Sequence, residues 1–318
     1  MKILVTGAAG FIGSHLCEKL LENTNNQVIG IDSFIGPTPS TLKQHNLITL
    51  VKNPHFTFIN EHLLNCDLQK LLVGIDVVYH LAAIPGVRSS WGNDFYPYVE
   101  NNIVVTQRLL EACKDLKLEK FIYASTSSIY GEKDGKVSEN MVPRPLSPYG
   151  ATKLTGEHLC HIYQESYGIP VVVLRYFTVY GPRQRPDMAF HRFIKQMILN
   201  EPITIFGDGK QTRDFTYIND CIEGTSAVIS AKNVIGETIN IGGKERSSVL
   251  DIISLLEQIT NKKAKIEFSQ KVKGEPRQTW ADISKADNLL NYFPTTTLEK
   301  GLEKEFHYFQ SIYKEGPS

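Results

Sequence analysis

MKILVTGAAGFIGSHLCEKLLEN, residues 1–23, decides the fold. KILV reads as a short buried strand, and SHLCEKLL carries apolar residues at helical spacing. Between them stand Gly7, Gly10 and Gly13, a GxxGxxG spacing. Glycines at a strand-to-helix turn allow a sharp bend and let a pyrophosphate approach the amides of a helix N-terminus, where the dipole favours negative charge. Phe11 and Ile12 belong to the same cofactor-facing turn. About twenty residues further on, QVIGID ends in Asp32, placed to hydrogen-bond an adenosine ribose and to repel a 2′-phosphate. NAD is therefore expected rather than NADP.

Working outward, DVVYHLAA, KFIYAS and VVVLRYF repeat the pattern of short apolar runs separated by helical stretches. Strands buried on both faces look like this, so the fold class is α/β: a Rossmann-type doubly wound parallel sheet. After about Phe177, Pro182, Pro186, Pro202 and several glycines break the rhythm. The amphipathic stretch SSVLDIISLLEQIT and a helix near Leu298 to Tyr313 follow. The expected division is an NAD-binding domain over 1–176 with about 213–242, and a smaller substrate-binding lobe over about 177–212 and 243–318.

Lys plus Arg and Asp plus Glu are each 34, so no net field draws the chain to nucleic acid or to an anionic membrane. The N-terminus has no signal-peptide h-region, and no run approaches the roughly 18 apolar residues of a membrane span. Cys17, Cys66, Cys113, Cys160 and Cys221 are odd in number and contain no CxxC pair, which suggests buried thiols in a reducing, cytoplasmic setting. His158 and His161 lie three apart without a third ligand, so no metal is expected. NKKAK, residues 261–265, reads as a solvated turn.

YGATK places Tyr149 and Lys153 four apart on one helix face. A phenol near pKa 10 is a weak base at neutral pH, and a nearby ammonium and a cationic nicotinamide would favour phenolate. YASTSSIYG, after the run EKFIY, sets Ser125, Thr126, Ser127 and Ser128 at a strand end. His80 reads as a packed strand histidine. Asp67 with Leu68, and Leu81, Ala82 and Ala83 of HLAA, are candidates for the adenine edge and cofactor rim.

GAAGFIG, Asp32, HLAA, STSSIYG, YGATK, RYFTVYGP and GDGKQTRDFTYIND, in this order, resemble the extended short-chain dehydrogenase/reductase family of nucleotide-sugar enzymes. The resemblance covers essentially the whole chain. It implies that Tyr149 is the acid/base, Lys153 holds the nicotinamide ribose, and Thr126 assists proton movement at the sugar C4 oxygen. Val105 stands where the family usually has glycine, and Asn102 is assigned a supporting polar role. Dehydratases of this family carry an acidic pair where Ser127 and Ser128 stand. Hydroxyls cannot do that acid/base work, which leaves oxidation and hydride return at C4, an epimerase. A homodimer packed through helices near Val99 to Cys113 and Tyr149 to Tyr167 is also implied.

RYFTVYGPRQRPDMA, residues 175–189, is similar to the same stretch of the UDP-glucuronic acid 4-epimerases. Glucose-type enzymes typically carry asparagine at the position of Thr178, and a smaller hydroxyl there leaves room for a carboxylate. Arg185 supplies positive charge at the pocket entrance. Pro85 and Gly86 are expected along the sugar, and Arg88, Arg213 and Arg277 at the diphosphate. The competing expectations are a 4-epimerase of UDP-glucose or UDP-N-acetylglucosamine, a UDP-glucuronate decarboxylase, and a non-catalytic NAD-sensing module on the same fold.

Overall fold

The computed structural model describes residues 1–315. Seven strands form one parallel sheet: β1 (Lys2–Thr6), β2 (Gln27–Asp32), β3 (Phe56–Asn60), β4 (Val77–His80), β5 (Lys120–Thr126), β6 (Val171–Tyr176) and β10 (Thr238–Ile241). Their spatial order is β10-β6-β5-β4-β1-β2-β3. Every neighbouring pair is parallel. β1 and β4 sit side by side although two strands separate them in sequence, so the chain reverses direction there. That reversal opens a crevice at the carboxyl ends of the strands, where such sheets bind ligands.

The apolar runs of the sequence correspond to β1, β2, β4, β5 and β6, each with helices on both faces of the sheet. One buried cluster, including Ile3, Val5, Leu16, Val172 and Leu174, fills one face. Leu4, Val78, Leu109, Phe121 and Val173 fill the other. The alternation of neighbours such as Ile3 and Leu4 between clusters is the period-2 pleat of a strand buried on both sides.

The remaining strands extend beyond this frame. β7 (Thr178–Tyr180), β9 (Thr212–Tyr217) and β11 (Glu245–Ser248) form a three-stranded sheet, and β8 (Ile203–Phe206) pairs with β12 (Ile266–Ser269). The amphipathic stretch is the helix Val249–Thr260, whose N-cap Ser248 and third residue Asp251 form a reciprocal capping box. The last helix spans Leu298–Glu315.

Three local features position the chemistry. Gly7 adopts φ +73°, and the amides of Gly7 and Ala8 both donate to the Ile31 carbonyl at 2.8 and 3.3 Å, tying the first turn to the end of β2. The helix Pro148–Tyr167 starts with the Ser147 hydroxyl accepting from the Gly150 amide at 3.1 Å and ends at left-handed Gly168. Gly156 lets that helix lie against Tyr123 of β5, because a side-chain carbon there would run into the phenol ring. Tyr149 and Lys153, about two turns and one turn earlier, are thereby brought to the end of β5.

Candidate active site

A cleft enclosing about 1140 Å³, including its open mouth, runs along the carboxyl ends of β1, β2, β4 and β5. Gly7, Gly10, Phe11, Ile12 and Gly13 line its floor, and Asp32 stands at one end. Leu81, Ala82, Ala83 and Pro85 form a side wall, with Tyr149, Lys153 and Arg185 towards the other end. A Cβ on Gly7 would lie 2.9 Å from the Ala82 amide nitrogen, and one on Gly13 would strike the Gly7 carbonyl. Backbone on backbone cannot yield, so the cradle requires glycine at both places. A groove floored by a glycine turn at a helix N-terminus and closed by a carboxylate fits a dinucleotide.

Asp32 is more heavily engaged than its sequence position suggests. Its carboxylate accepts from the Ala9 amide at 3.2 Å, the Phe34 amide at 2.7 Å and the Lys43 ammonium at 3.0 Å. Lys43 is itself buried and also holds the Ile35 carbonyl at 2.8 Å. The charge argument against a 2′-phosphate is thus weaker than the isolated carboxylate implied, because a cation stands beside it.

Asp67 and Leu68 do not line the cleft. Asp67 caps the short helix Leu68–Leu71 by accepting from the Lys70 amide at 3.1 Å, and Leu68 is buried in the core. The wall there is made instead by Glu61, His62 and Leu63, which follow β3. Asn102 is also set back from the cleft. It lies in a π-helical turn, Val99–Val104, where its amide exchanges hydrogen bonds with Ile84 at 2.8 and 3.0 Å and donates to Thr152 at 3.0 Å. It therefore braces the segment after HLAA against the helix that carries Tyr149. His80 is fully enclosed between the hydroxyls of Thr6 at 2.8 Å and Thr106 at 3.0 Å. Burial, reinforced by Lys153, lowers its pKa to about 3, so it stays neutral.

Burial raises the Tyr149 phenol above its ordinary value, while Arg185 and the Thr126 hydroxyl pull it back. Lys153 lies one turn further along the same helix. Lys153 is buried with its ammonium 4.2 Å from the centre of the Tyr123 ring, and desolvation lowers its pKa to about 8. Arg185, which lines the same cleft and whose charge favours phenolate, is held by Asp187 through two contacts at 3.0 and 2.9 Å. Tyr98, which sequence reasoning missed, packs edge-on against Tyr149 at 6.2 Å and holds the Pro85 and Gly86 carbonyls through its hydroxyl.

The hydroxyl row divides by role. Ser125 lines the cleft and donates to Glu157, which is buried and paired with Arg175 at 2.7 Å. Thr126 caps the turn Ser127–Ile129 by accepting from the Ser128 amide at 3.1 Å, and its hydroxyl donates to that of Ser128 at 3.2 Å. Ser127, Ser128 and Thr178 are partly exposed at the ends of β5 and β7.

A second cavity, formed with Phe206, Arg213, Glu275 and Arg277, adjoins Arg88. Arg88 bonds Glu275 at 2.7 Å and lies over the Phe206 ring at 4.4 Å, while Arg213 reaches the same carboxylate at 3.3 Å. Arg277 pairs with Asp208 at 3.4 Å. Arg192, also missed from sequence, stacks on Phe206 at 5.3 Å. Two guanidiniums lining the cavity, Arg213 and Arg277, with Arg88 and Arg192 beside its Phe206 wall, suit a diphosphate, and Glu275 orders Arg88 and Arg213. The five cysteines are buried and unpaired.

The chain belongs to the NAD dependent epimerase/dehydratase family, whose model matches residues 3–242. It is similar to the Bacillus cereus UDP-glucuronic acid 4-epimerase solved in complex with UDP-glucuronic acid and NAD, with a TM-score of 0.98 and 67% identity over 98% of this chain and 100% of that one. A Bacillus subtilis (strain 168) protein described as an uncharacterized UDP-glucose epimerase, YtcB, is 63% identical over 99% of both chains. A UDP-glucuronate 4-epimerase of Thermodesulfobacterium geofontis (strain OPF15) is 44% identical, covering 96% of this chain and 95% of its own.

Proposed function

We propose that this chain is an NAD-dependent isomerase, a UDP-glucuronic acid 4-epimerase that interconverts UDP-glucuronate and UDP-galacturonate. The observation that carries the reading is the meeting of Tyr149 and Arg185 on one wall of the dinucleotide cleft. A phenol serves the C4 oxygen, and a guanidinium beside it serves a carboxylate on the neighbouring carbon. A neutral hexose would offer that cation no charge beyond the Asp187 carboxylate it already holds.

The bound dinucleotide accepts hydride from C4 and later returns it to the opposite face of the 4-keto sugar. The glycine turn holds its pyrophosphate, Asp32 its adenosine ribose and Lys153 its nicotinamide ribose. Tyr149, assisted by Thr126, takes the C4 hydroxyl proton and gives it back. Arg88, Arg213 and Arg277 hold the diphosphate while the sugar turns. Oxidation at C4 makes a β-keto acid, which loses carbon dioxide when the bond from C5 to the carboxylate stands perpendicular to the ketone plane. Ser127, Ser128, Thr178 and Arg185 keep that carboxylate near the plane.

The division into an NAD domain (1–176 with about 213–242) and a substrate lobe (about 177–212 and 243–318) belongs to this proposal. So do a cytoplasmic location and a homodimer through the helices around residues 99–113 and 149–167, where Val104, Ile162 and Tyr167 are exposed. Among the described residues no helix is long and apolar enough to cross a membrane.

The test is to incubate the purified protein, without added NAD, with UDP-glucuronic acid and with UDP-glucose separately, and to follow the sugars by proton NMR. Conversion of the acid alone to its galacturonic epimer is expected. Conversion of UDP-glucose alone would overturn the carboxylate assignment, and a predominant pentose product would overturn the restraint.

A further inference from the structure

We infer that Arg183 and Glu18 form a positioning bridge that registers Arg185 to the cofactor-binding turn and so suppresses decarboxylation of the 4-keto intermediate. The inference rests on the carboxylate reading of Arg185 given above.

Arg183 has φ +68°, a left-handed conformation that non-glycine residues adopt rarely and at a cost. Its side chain explains why the strain persists. The guanidinium reaches out of the loop between β7 and the helix Ala189–Leu199 and grips Glu18 with two bonds, at 2.8 and 3.1 Å. It also donates to the Ser14 hydroxyl at 3.2 Å. Both partners lie on the helix Phe11–Leu21, and Ser14 directly follows Gly13 of the dinucleotide cradle.

The next residue closes the loop from the other side. The Gln184 side-chain Nε2 donates to the Val179 carbonyl at 3.1 Å, and its Oε1 accepts from the His191 backbone amide at 3.0 Å. Arg185 is therefore carried on a segment clamped at Arg183 and Gln184, with its head paired to Asp187. The bridge gives the carboxylate-facing guanidinium and the glycine cradle of the cofactor one common frame, although they come from segments about 170 residues apart.

Slack in this frame has a defined chemical result. If the carboxylate tilts out of the ketone plane, the C5–carboxylate bond breaks and its electron pair enters the enolate conjugated with the C4 ketone. Carbon dioxide leaves, and C5 then takes up a proton. The cofactor stays reduced unless hydride returns to the resulting 4-keto pentose. Misplacing a reacting group by about 1 Å costs on the order of 10²-fold. A smaller tilt on losing the bridge is expected to raise decarboxylation relative to epimerisation by about tenfold.

The experiment compares holoenzyme with the variants Arg183→Gly, Arg183→Lys, Glu18→Gln and Arg185→Ala on UDP-glucuronic acid. It measures the ratio of pentose to galacturonic product by NMR and mass, the NADH left on the enzyme by absorbance, and the thermal midpoint. Arg183→Gly relieves the left-handed backbone, so a loss of fidelity there is not a folding defect. Both Arg183→Gly and Glu18→Gln are expected to raise the pentose ratio about tenfold and to accumulate NADH, with Arg183→Lys falling between them and wild type. If Arg185→Ala raises the ratio and neither bridge variant does, the bridge is merely structural and the inference is overturned. If Arg185→Ala also leaves the ratio unchanged, the carboxylate reading fails and takes the inference with it.

Discussion

Replacing Lys153 by Met should make the NAD-free protein more stable at neutral pH while abolishing turnover. Lys153 is 3% exposed, its ammonium faces an aromatic ring, and desolvation lowers its pKa from the ordinary 10.5 to about 8. At 1.36 kcal/mol per unit, that lowering corresponds to roughly 3 kcal/mol by which the fold disfavours the charged form. The sign follows from proton counts. Between pH 8 and 10.5 the unfolded chain binds the proton and the folded chain does not, so stability rises with pH across that window and the full penalty stands below it. Met has no such charge. Urea unfolding of wild type and Lys153→Met at pH 7 and pH 10 should therefore show a variant advantage that shrinks by roughly 2 kcal/mol at the higher pH. Lost attraction to Tyr123 offsets part of the advantage at pH 7 but does not reverse the trend. A stability difference that is flat in pH, or that grows with pH, would refute the argument.

Gly13→Ala should yield protein from which NAD no longer co-purifies, because the new methyl strikes the Gly7 carbonyl; absorbance and mass of the released nucleotide check this. Asp32→Ser should shift cofactor preference towards NADP by about 10- to 100-fold, the size of one or two charge-assisted hydrogen bonds, because Lys43 is already in place for a 2′-phosphate; competitive binding of the two nucleotides measures it. Arg175→Met should cost about 3–5 kcal/mol in urea unfolding by leaving Glu157 buried and unpaired. The double variant Arg175→Met with Glu157→Leu should recover most of that loss.

The Rossmann frame was legible because it rests on short-range patterns. The run from Lys2 to Leu21 holds strand, turn and helix in order, and the position of Asp32 follows from counting. Tyr149 and Lys153 were legible for the same reason, as neighbours on one helix. What pairs residues across the fold was not. Lys43 beside Asp32, Glu275 between Arg88 and Arg213, and Arg183 on Glu18 join segments whose separation carries no periodic signal. Asp67 shows the converse. A carboxylate after a strand suits an adenine edge, but the same residue also suits a helix N-cap, and the local backbone takes the second use.

The electrostatics of the cleft bear on the order of events in the proposed cycle. Burial works against ionisation of both Tyr149 and Lys153, and it keeps His80 neutral. Ionising the phenol is therefore costly in the protein alone, and the charge of Arg185 favours the ionised form. A substrate carboxylate that pairs with Arg185 partly cancels that help and makes phenolate harder to form. The oxidised nicotinamide ring then becomes the remaining positive charge able to favour proton acceptance. Reduction removes that charge, so the proton stays on Tyr149 while the keto sugar turns, ready for return to the C4 oxygen. A sugar acid in this site thus ties proton acceptance to the redox state of the cofactor more tightly than a neutral sugar would, because a neutral sugar adds no negative charge beside Arg185 to offset its pull on the phenol.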